Sequence, residues 1–374
     1  MTGVLRNIFK VNLAVRKSER VLIFNDTVPS NIFLDEPDKE RIAKLRSLTM
    51  LLAEIGKDLC KATVTSEYAA TGSHGAEPPA ELWESAFGQK TVATLRKEHL
   101  MQPLLEKAIN DQDIRRIETI IRHYRKQAVD CVIALSNFST SHTRFRDFLT
   151  RICKCRYASM PLFDISMLEG AMNIDWKNLA RRTRAIAKTV HSAESIRLKT
   201  PNGTKLTFSK RGRKSIPDTG LLTRPGSFSN LPAGEVYVAP VEGTANGRLV
   251  LEWAPTKQLS SPVTLEIKDG FVQEISGEDL YADALRQKLD ERKENSNIAE
   301  FGIGTNEAAK RPDNILESEK ILGTVHIALG DNSSFGGTVK TPFHQDFIFF
   351  RPTVTLIEQD GSKNYLLRDG KCVI

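Results

Sequence analysis

The sequence predicts an α/β N-terminal domain with a mostly parallel sheet, followed by an α+β C-terminal domain rich in antiparallel strands. The chain has 374 residues, more than one ordinary core needs, so two domains are expected. The first half alternates helix-like and strand-like segments, and the second half contains repeated hairpin signals. The pattern changes near residue 195, which predicts domains of residues 1–195 and 196–374.

Two long amphipathic helices are predicted in the first half, at residues 40–59 and 99–127, where apolar residues recur with helical period. Short apolar runs predict the strands, at residues 20–26, 62–68, 131–138 and 158–163. Such alternation is typical of a parallel sheet covered by helices. No G-x-G-x-x-G or P-loop motif follows these runs, so no nucleotide site is predicted.

Antiparallel hairpins are predicted in the second half, where alternating runs flank tight-turn sequences. The turns are Pro201-Asn202-Gly203, Asp269-Gly270, Asp360-Gly361 and Asp369-Gly370. One amphipathic helix, at residues 277–296, interrupts the strands. The C-terminal domain should therefore combine antiparallel sheet with little helix.

The net charge of +7 comes from the first half of the chain. Residues 1–200 hold 32 Lys and Arg against 23 Asp and Glu, whereas residues 201–374 hold 21 against 23. The basic stretches have helical periodicity and carry no nucleic-acid motif, so we interpret them as solvated helix faces. No nucleic-acid partner is expected.

Neither a membrane location nor secretion is expected. No run of about 18 apolar residues is present, and the N-terminus lacks the apolar segment of a secretory signal. The five cysteines have neither metal-ligand nor disulfide-framework spacing. Free thiols and a cytoplasmic location are the expectation.

A histidine and an aspartate stand two apart in the apolar run "TPFHQDFIFF", residues 341–350. Because strand side chains alternate, His344 and Asp346 share one face, and the neighbouring phenylalanines face the other. A buried carboxylate needs a cation, hydrogen bonds or a metal. The pair could be a core hydrogen bond, or it could be part of a site.

Three further residues in strand-like or glycine-rich settings extend this pair. His326 lies in "ILGTVHIALG", Glu235 in "NLPAGEVYVAP" and Glu300 in "IAEFGIGTN". Each alone has an ordinary structural interpretation. Together with His344 and Asp346 they supply a mixed nitrogen and oxygen set suited to one or two divalent ions such as zinc, cobalt or manganese.

These motifs, a following Gly-Gly and the H-x-D of "FHQDF" occur in an order that resembles the metallo-aminopeptidase family of aminopeptidase T, aminopeptidase S and aminopeptidase II. The resemblance implies an enzyme that releases N-terminal residues from peptides, and a homodimer. It also implies two divalent metal ions and a carboxylate, here Glu300, that takes a proton from the attacking water. The implied metal ligands are Glu235, Glu300, His326, His344 and Asp346.

One departure from that family opens two alternatives. The family has a tyrosine in the loop before H-x-D, and residues 327–343 contain none. The chain also resembles ring-cleaving dihydroxypyridine dioxygenases, in which two histidines and one aspartate hold a single Fe(II); here these would be His326, His344 and Asp346. A catalytically silent metal-binding relative is the remaining alternative. The five intact ligand candidates favour the aminopeptidase as the main expectation.

Overall fold

Two units make up the chain in the computed structural model, which describes residues 2–28, 34 and 36–373. Unit 1 comprises Met1–Asn173 and Gly220–Pro232, and unit 2 comprises Ile174–Thr219 and Ala233–Ile374. The sequence analysis placed the domain boundary after residue 195. The units divide earlier because the helix Trp176–Ser192 packs on strands of unit 2.

A five-stranded parallel sheet with the order β2-β1-β3-β4-β8 lies at the centre of unit 1. Its strands are β1 (Arg20–Asp26), β2 (Ala62–Tyr68), β3 (Cys131–Ala134), β4 (Arg156–Ser159) and β8 (Phe228–Asn230). The helices are α1 (Thr2–Asn7), α2 (Glu36–Lys57), α3 (Ala80–Phe87), α4 (Gln89–Lys97), α5 (Met101–Leu105), α6 (Asp111–Tyr124) and α7 (Arg144–Arg151). A π-helix, Ile8–Asn12, and 3-10 turns at Arg125–Gln127 and Ile165–Leu168 complete the unit. The predicted parallel sheet is confirmed.

The helix predicted at residues 99–127 is instead two helices, α5 and α6. Lys107 has a φ of 56°, which a continuing helix does not allow. Asn110 then caps the second helix, because its side-chain oxygen accepts a hydrogen bond from the Asp113 amide at 2.9 Å. The amphipathic period continues across this break, which is why the sequence did not reveal it.

Unit 2 contains two antiparallel sheets, one of eight strands and one of five. The eight-stranded order is β12-β11-β10-β6-β5-β16-β17-β18, and the five-stranded order is β15-β14-β13-β9-β7. The strands of the first are β5 (Ser195–Lys199), β6 (Lys205–Ser209), β10 (Asn246–Ala254), β11 (Lys257–Lys268), β12 (Phe271–Ser276), β16 (Thr353–Ile357), β17 (Lys363–Arg368) and β18 (Lys371–Cys372). Those of the second are β7 (Ile216–Asp218), β9 (Glu235–Val238), β13 (Ile298–Gly304), β14 (Val325–Gly330) and β15 (His344–Phe349).

Three helices accompany these sheets: α8 (Trp176–Ser192), α9 (Leu280–Asp290) and α10 (Ile315–Ser318), with a 3-10 turn at Lys293–Ser296. The predicted hairpins are present, and the turn between β11 and β12 uses φ angles of 50° at Asp269 and 81° at Gly270. The α+β class predicted for this half of the chain is confirmed.

One apolar cluster joins the two sheets of unit 2. It contains Phe208 of the eight-stranded sheet and Phe301 of the five-stranded sheet, whose ring centroids lie 5.3 Å apart. The five-stranded sheet therefore buries one face in the hydrophobic core and leaves its other face for different contacts. Among the residues described, no helix is both long and apolar enough to cross a membrane.

Candidate metal centre

The strand β15 separates apolar from polar side chains as its sequence predicts. Phe347 and Phe349 are each 1% exposed and belong to the core cluster between the sheets. His344 and Asp346 alternate with them and so lie on the opposite face. The polar face of "FHQDF" is thus the face of the five-stranded sheet that does not enter this core.

The strand register brings the other candidates to the same face. Asp346 pairs with Ala328, and Ala328 pairs with Glu300. Two further pairs, His326 with Gly302 and Gly304 with Glu235, extend the face across β14, β13 and β9. Paired residues of antiparallel strands point to the same side, so four adjacent strands together carry all five predicted residues on one surface.

Gly302 is needed for this arrangement because the His326 ring lies directly over it. A Cβ atom added to Gly302 would lie 1.9 Å from His326 Nε2. That is far inside van der Waals contact, so any larger residue would displace the imidazole. The glycine allows the histidine to reach across β13 towards the carboxylate of Glu235.

Glu300 lies between the two histidines. His326 Nε2 lies 3.3 Å from Glu300 Oε1 and 3.3 Å from Glu235 Oε2. His344 Nε2 lies 3.6 Å from Glu300 Oε2 and 3.5 Å from Asp346 Oδ2. The ligand atoms form two groups that share Glu300, and within each group they lie within 4.8 Å of one another. The structure therefore brings together all the residues that the sequence analysis named.

The charged groups of this cluster shift one another's pKa values. Burial lowers the pKa of His344, but Asp346 and then Glu300 outweigh it and raise the pKa to about 10. Burial also opposes protonation of His326, yet its hydrogen bond with Glu300 and the charge of Glu235 raise the pKa to about 9. Burial raises the pKa of Glu300 itself. The neighbouring carboxylates thus raise the pKa values of both histidines despite their burial.

The donor set fits a divalent metal ion. Glu235 is 7% exposed, and its Oε2 atom has no hydrogen-bond partner among the described residues. A buried carboxylate oxygen without a hydrogen bond, 3.3 Å from the His326 Nε2 atom, is the kind of donor that a cation would satisfy. His344 Nδ1 lies 2.7 Å from the Asp331 carbonyl oxygen, a contact that orients the ring with Nε2 towards the cluster.

Three residues near the cluster were missed by the sequence analysis. Tyr237 lies two residues after Glu235 in β9 and pairs with Gly302, so its ring shares the polar face. The sequence analysis considered a tyrosine only in residues 327–343. Strand alternation from Glu235 would have predicted that Tyr237 lies on the same face. Lys320 and Glu319 lie in a turn before β14, and the Lys320 ammonium lies 2.9 Å from Glu235 Oε1. No periodic pattern marks them.

Phe335 packs next to the cluster, from the loop between β14 and β15. Its ring centroid lies 5.6 Å from that of Tyr237 and 6.0 Å from that of His344, both in edge-on geometry. Asn332, which is fully buried, holds this loop through hydrogen bonds with the Val339 amide at 2.9 Å and Glu242 Oε1 at 3.0 Å. The loop thus fixes an aromatic ring beside the histidine.

Fold and site together define a two-unit α/β protein with a candidate metal centre on an antiparallel sheet. The NicX family model, described as 2,5-dihydroxypyridine 5,6-dioxygenase, matches residues 92–373. The match covers most of the chain and all five cluster residues. The chain therefore belongs to this family.

A curated relative agrees with the family match. The 2,5-dihydroxypyridine 5,6-dioxygenase of Pseudomonas putida KT2440 is 27% identical over 182 residues, which is 44% of this chain and 52% of that enzyme. The chain thus spans about half the length of the curated relative that it matches.

Two solved structures have the same fold. One is a dihydroxypyridine dioxygenase from Pseudomonas putida KT2440, with a TM-score of 0.66 and 18% identity over 100% of this chain and 96% of that one. The other is wild-type AmpT from Thermus thermophilus, with a TM-score of 0.60 and 16% identity over 100% and 98%. At these identities the likeness concerns the fold alone.

The family match corrects the main functional expectation. The resemblance to aminopeptidase T holds for the fold, but the predicted peptide hydrolase is wrong, because both the family and the curated relative are dioxygenases. Histidine and carboxylate donors on one sheet are suited to hold a metal, and a metal can serve hydrolysis or oxygen chemistry. The motif order therefore indicated the fold and the donors rather than the reaction.

Proposed function

We propose that this protein is a metal-dependent dioxygenase that opens a small dihydroxylated nitrogen heterocycle of the 2,5-dihydroxypyridine type. The observation that carries the proposal is the family match across residues 92–373, which includes every residue of the buried cluster. In such a reaction one dioxygen molecule is consumed, a ring bond breaks, and both oxygen atoms enter the product.

His344 and Asp346 of one ligand group and His326 of the other would hold the metal, as the two-histidine, one-carboxylate set of non-haem iron oxygenases does. Bound Fe(II) would supply the redox chemistry that dioxygen needs to react with an aromatic ring. Glu300 contacts both histidines and would either complete the ligand set or accept a proton from a ring hydroxyl. The two ions expected from the aminopeptidase resemblance are not needed for this reaction.

Tyr237 and Phe335 would position the planar substrate. The Phe335 ring stands edge to face with both Tyr237 and His344, and such surfaces favour the offset or edge-on packing of another aromatic ring. Burial raises the pKa of Tyr237, so its hydroxyl stays protonated at neutral pH and can donate to a ring oxygen or nitrogen. The homodimer implied by the aminopeptidase resemblance stays a prediction.

The test uses apoprotein reloaded anaerobically with Fe(II) and then mixed with 2,5-dihydroxypyridine in aerated buffer. An oxygen electrode measures the dioxygen consumed, and the absorbance of the pyridine ring measures the substrate lost. The proposal expects uptake of dioxygen in equal amount to ring loss, abolished in His344→Ala. The matched control is His123→Ala, which removes an exposed histidine from the helix α6. Ring loss without oxygen uptake, or no reaction with any dihydroxypyridine isomer, would contradict the proposal.

A further inference from the structure

Lys320 is a fully buried cation at the edge of the metal cluster. Its side chain is 0% exposed, and its Nζ atom lies 2.9 Å from Glu235 Oε1 and 2.7 Å from Glu319 Oε2. Lysine is seldom buried to this extent without a partner. Here two carboxylates compensate the ammonium, and one of them is a candidate metal ligand.

The backbone around Lys320 is held firmly in place. The Lys320 carbonyl accepts a hydrogen bond from the Asn306 amide at 2.8 Å, and the Lys320 amide donates to the Glu317 carbonyl at 2.9 Å. Gly304, which pairs with Glu235, allows this turn to come close, because a Cβ there would lie 2.0 Å from the Ile321 carbonyl oxygen. The backbone therefore holds the Lys320 ammonium in place beside Glu235.

The charges on this side of the cluster are mostly negative. Glu235 contacts Lys320, Glu319 contacts the same ammonium, and Asp218 pairs with Glu235 from the neighbouring strand β7. His326 also lies on this side, with its Nε2 atom 3.3 Å from Glu235 Oε2, whereas His344 lies on the other side with Glu300 and Asp346. A second cation on the Glu235 side would satisfy these carboxylates, and Lys320 already supplies one positive charge there.

We infer that the Lys320 ammonium takes the place of a second metal ion, so that the cluster accepts one divalent cation. With Glu235 Oε1 bound by Lys320, only Oε2 remains for a metal. A second divalent ion at Glu235 would also lie close to a fixed positive charge in a buried setting, where like charges repel strongly. The inference rests on the metal centre of the proposed function, and it does not depend on the ring-cleaving reaction.

Counting bound ions tests this inference. Apoprotein is titrated with Mn(II) by calorimetry, and bound metal is counted by native mass spectrometry. We expect one ion per chain in the wild type and a second ion in Lys320→Met, which keeps the side-chain length but removes the charge. Lys320→Arg, which retains the charge, should bind one ion, and the double variant Lys320→Met/Glu319→Gln should bind the second ion more weakly than Lys320→Met does.

Several outcomes would overturn the role of Lys320. Two ions in the wild type would do so without any variant, so the inference stays testable even if Lys320→Met fails to fold. A folded Lys320→Met protein that binds one ion, with wild-type affinity, would also overturn it. Bound metal ions can be counted even in a protein that consumes no dioxygen. The metal count therefore tests this inference, and oxygen uptake tests the proposed function, independently of each other.

Discussion

The two faces of the five-stranded sheet use the same strands for opposite purposes. One face puts Phe301, Phe347 and Phe349 into the hydrophobic core, and the other puts Glu300, His344 and Asp346 into a buried ionic cluster. The apolar face gains stability by excluding water, without needing specific partners. The polar face is costly to bury unless its charges are matched. The comparison teaches that the apolar face fixes the strands by packing in the core. The same strands then hold, on the other face, donors that a cation would satisfy.

His344→Ala should have the largest effect and should affect only the polar face. It removes a proposed metal ligand, so the loss of metal affinity should exceed the roughly 100-fold that loss of an outer-shell partner can cost. Oxygen uptake should become undetectable while the thermal transition remains cooperative. Metal analysis after dialysis checks the prediction. Wild-type metal content in this variant would show that His344 is not a ligand.

Phe349→Ala tests the apolar face. The side chain is 1% exposed, and its truncation should lower the free energy of unfolding by about 3–5 kcal/mol. Chemical denaturation measures the change. Folded protein should still bind one metal ion, because the side chain points away from the cluster. Loss of metal from the folded variant would mean that the two faces are not independent.

Gly302→Ala should have a smaller effect, and it should lower both the stability of the fold and the affinity for metal. The added methyl group would meet the His326 ring, and such overpacking costs about 1–3 kcal/mol of stability. Metal affinity should fall as well, because the imidazole must move. Gly3→Ala is the control, since no atom lies within 4 Å of its added Cβ. Equal effects of the two substitutions on metal affinity would contradict the assigned role of Gly302.

Phe335→Leu should have a modest effect limited to substrate binding. Aromatic pairs contribute about 0.5–1.5 kcal/mol beyond buried area, so KM for the dihydroxypyridine should rise roughly 2- to 10-fold. Metal content should not change. Phe271→Leu, in the eight-stranded sheet, removes a half-buried ring away from the cluster and serves as the control. An unchanged KM would remove Phe335 from the substrate site.

A separate prediction concerns a buried carboxylate whose hydrogen bonds come from backbone amides. Glu77 accepts hydrogen bonds from the Arg144 and Phe145 amides, at 2.5 and 3.1 Å, and burial raises its pKa from 4.5 to about 7. A raised carboxyl pKa means that the folded state binds more protons than the unfolded state between these values. Stability should therefore fall as the pH rises from about 4.5 to 7, and level off above.

Glu77→Gln should flatten this part of the stability profile relative to the wild type. Denaturation at several pH values measures the difference, and parallel profiles for the two proteins would contradict the raised pKa. Glu77 thus differs from the carboxylates of the candidate metal centre, because backbone amides donate hydrogen bonds to it.

The sequence predicted the parallel sheet and the hairpins, and it named the five cluster residues, whose role as metal ligands stays a prediction. Strand period and turn chemistry placed β1 and the hairpins, and alternation placed His344 opposite the core. These features are local, so a sequence shows them directly. The break at Asn110 was missed because the amphipathic period continues across it.

Other parts of the site depend on contacts that a sequence does not display. Lys320 reaches Glu235 from a turn with no periodic pattern, and the need for Gly302 appears only once His326 lies over it. Tyr237 could have been found by alternation from Glu235. The reaction was misassigned because the same donors on the same fold suit both hydrolysis and oxygen chemistry.

The most direct test of the account is isotope labelling of the reaction. Iron-loaded protein is given 2,5-dihydroxypyridine under isotopically labelled dioxygen, and the ring-opened product is analysed by mass spectrometry. The account predicts that both labelled atoms of one dioxygen molecule appear in the product, and that none do with His344→Ala. A product whose new oxygen comes from labelled water instead would contradict the account.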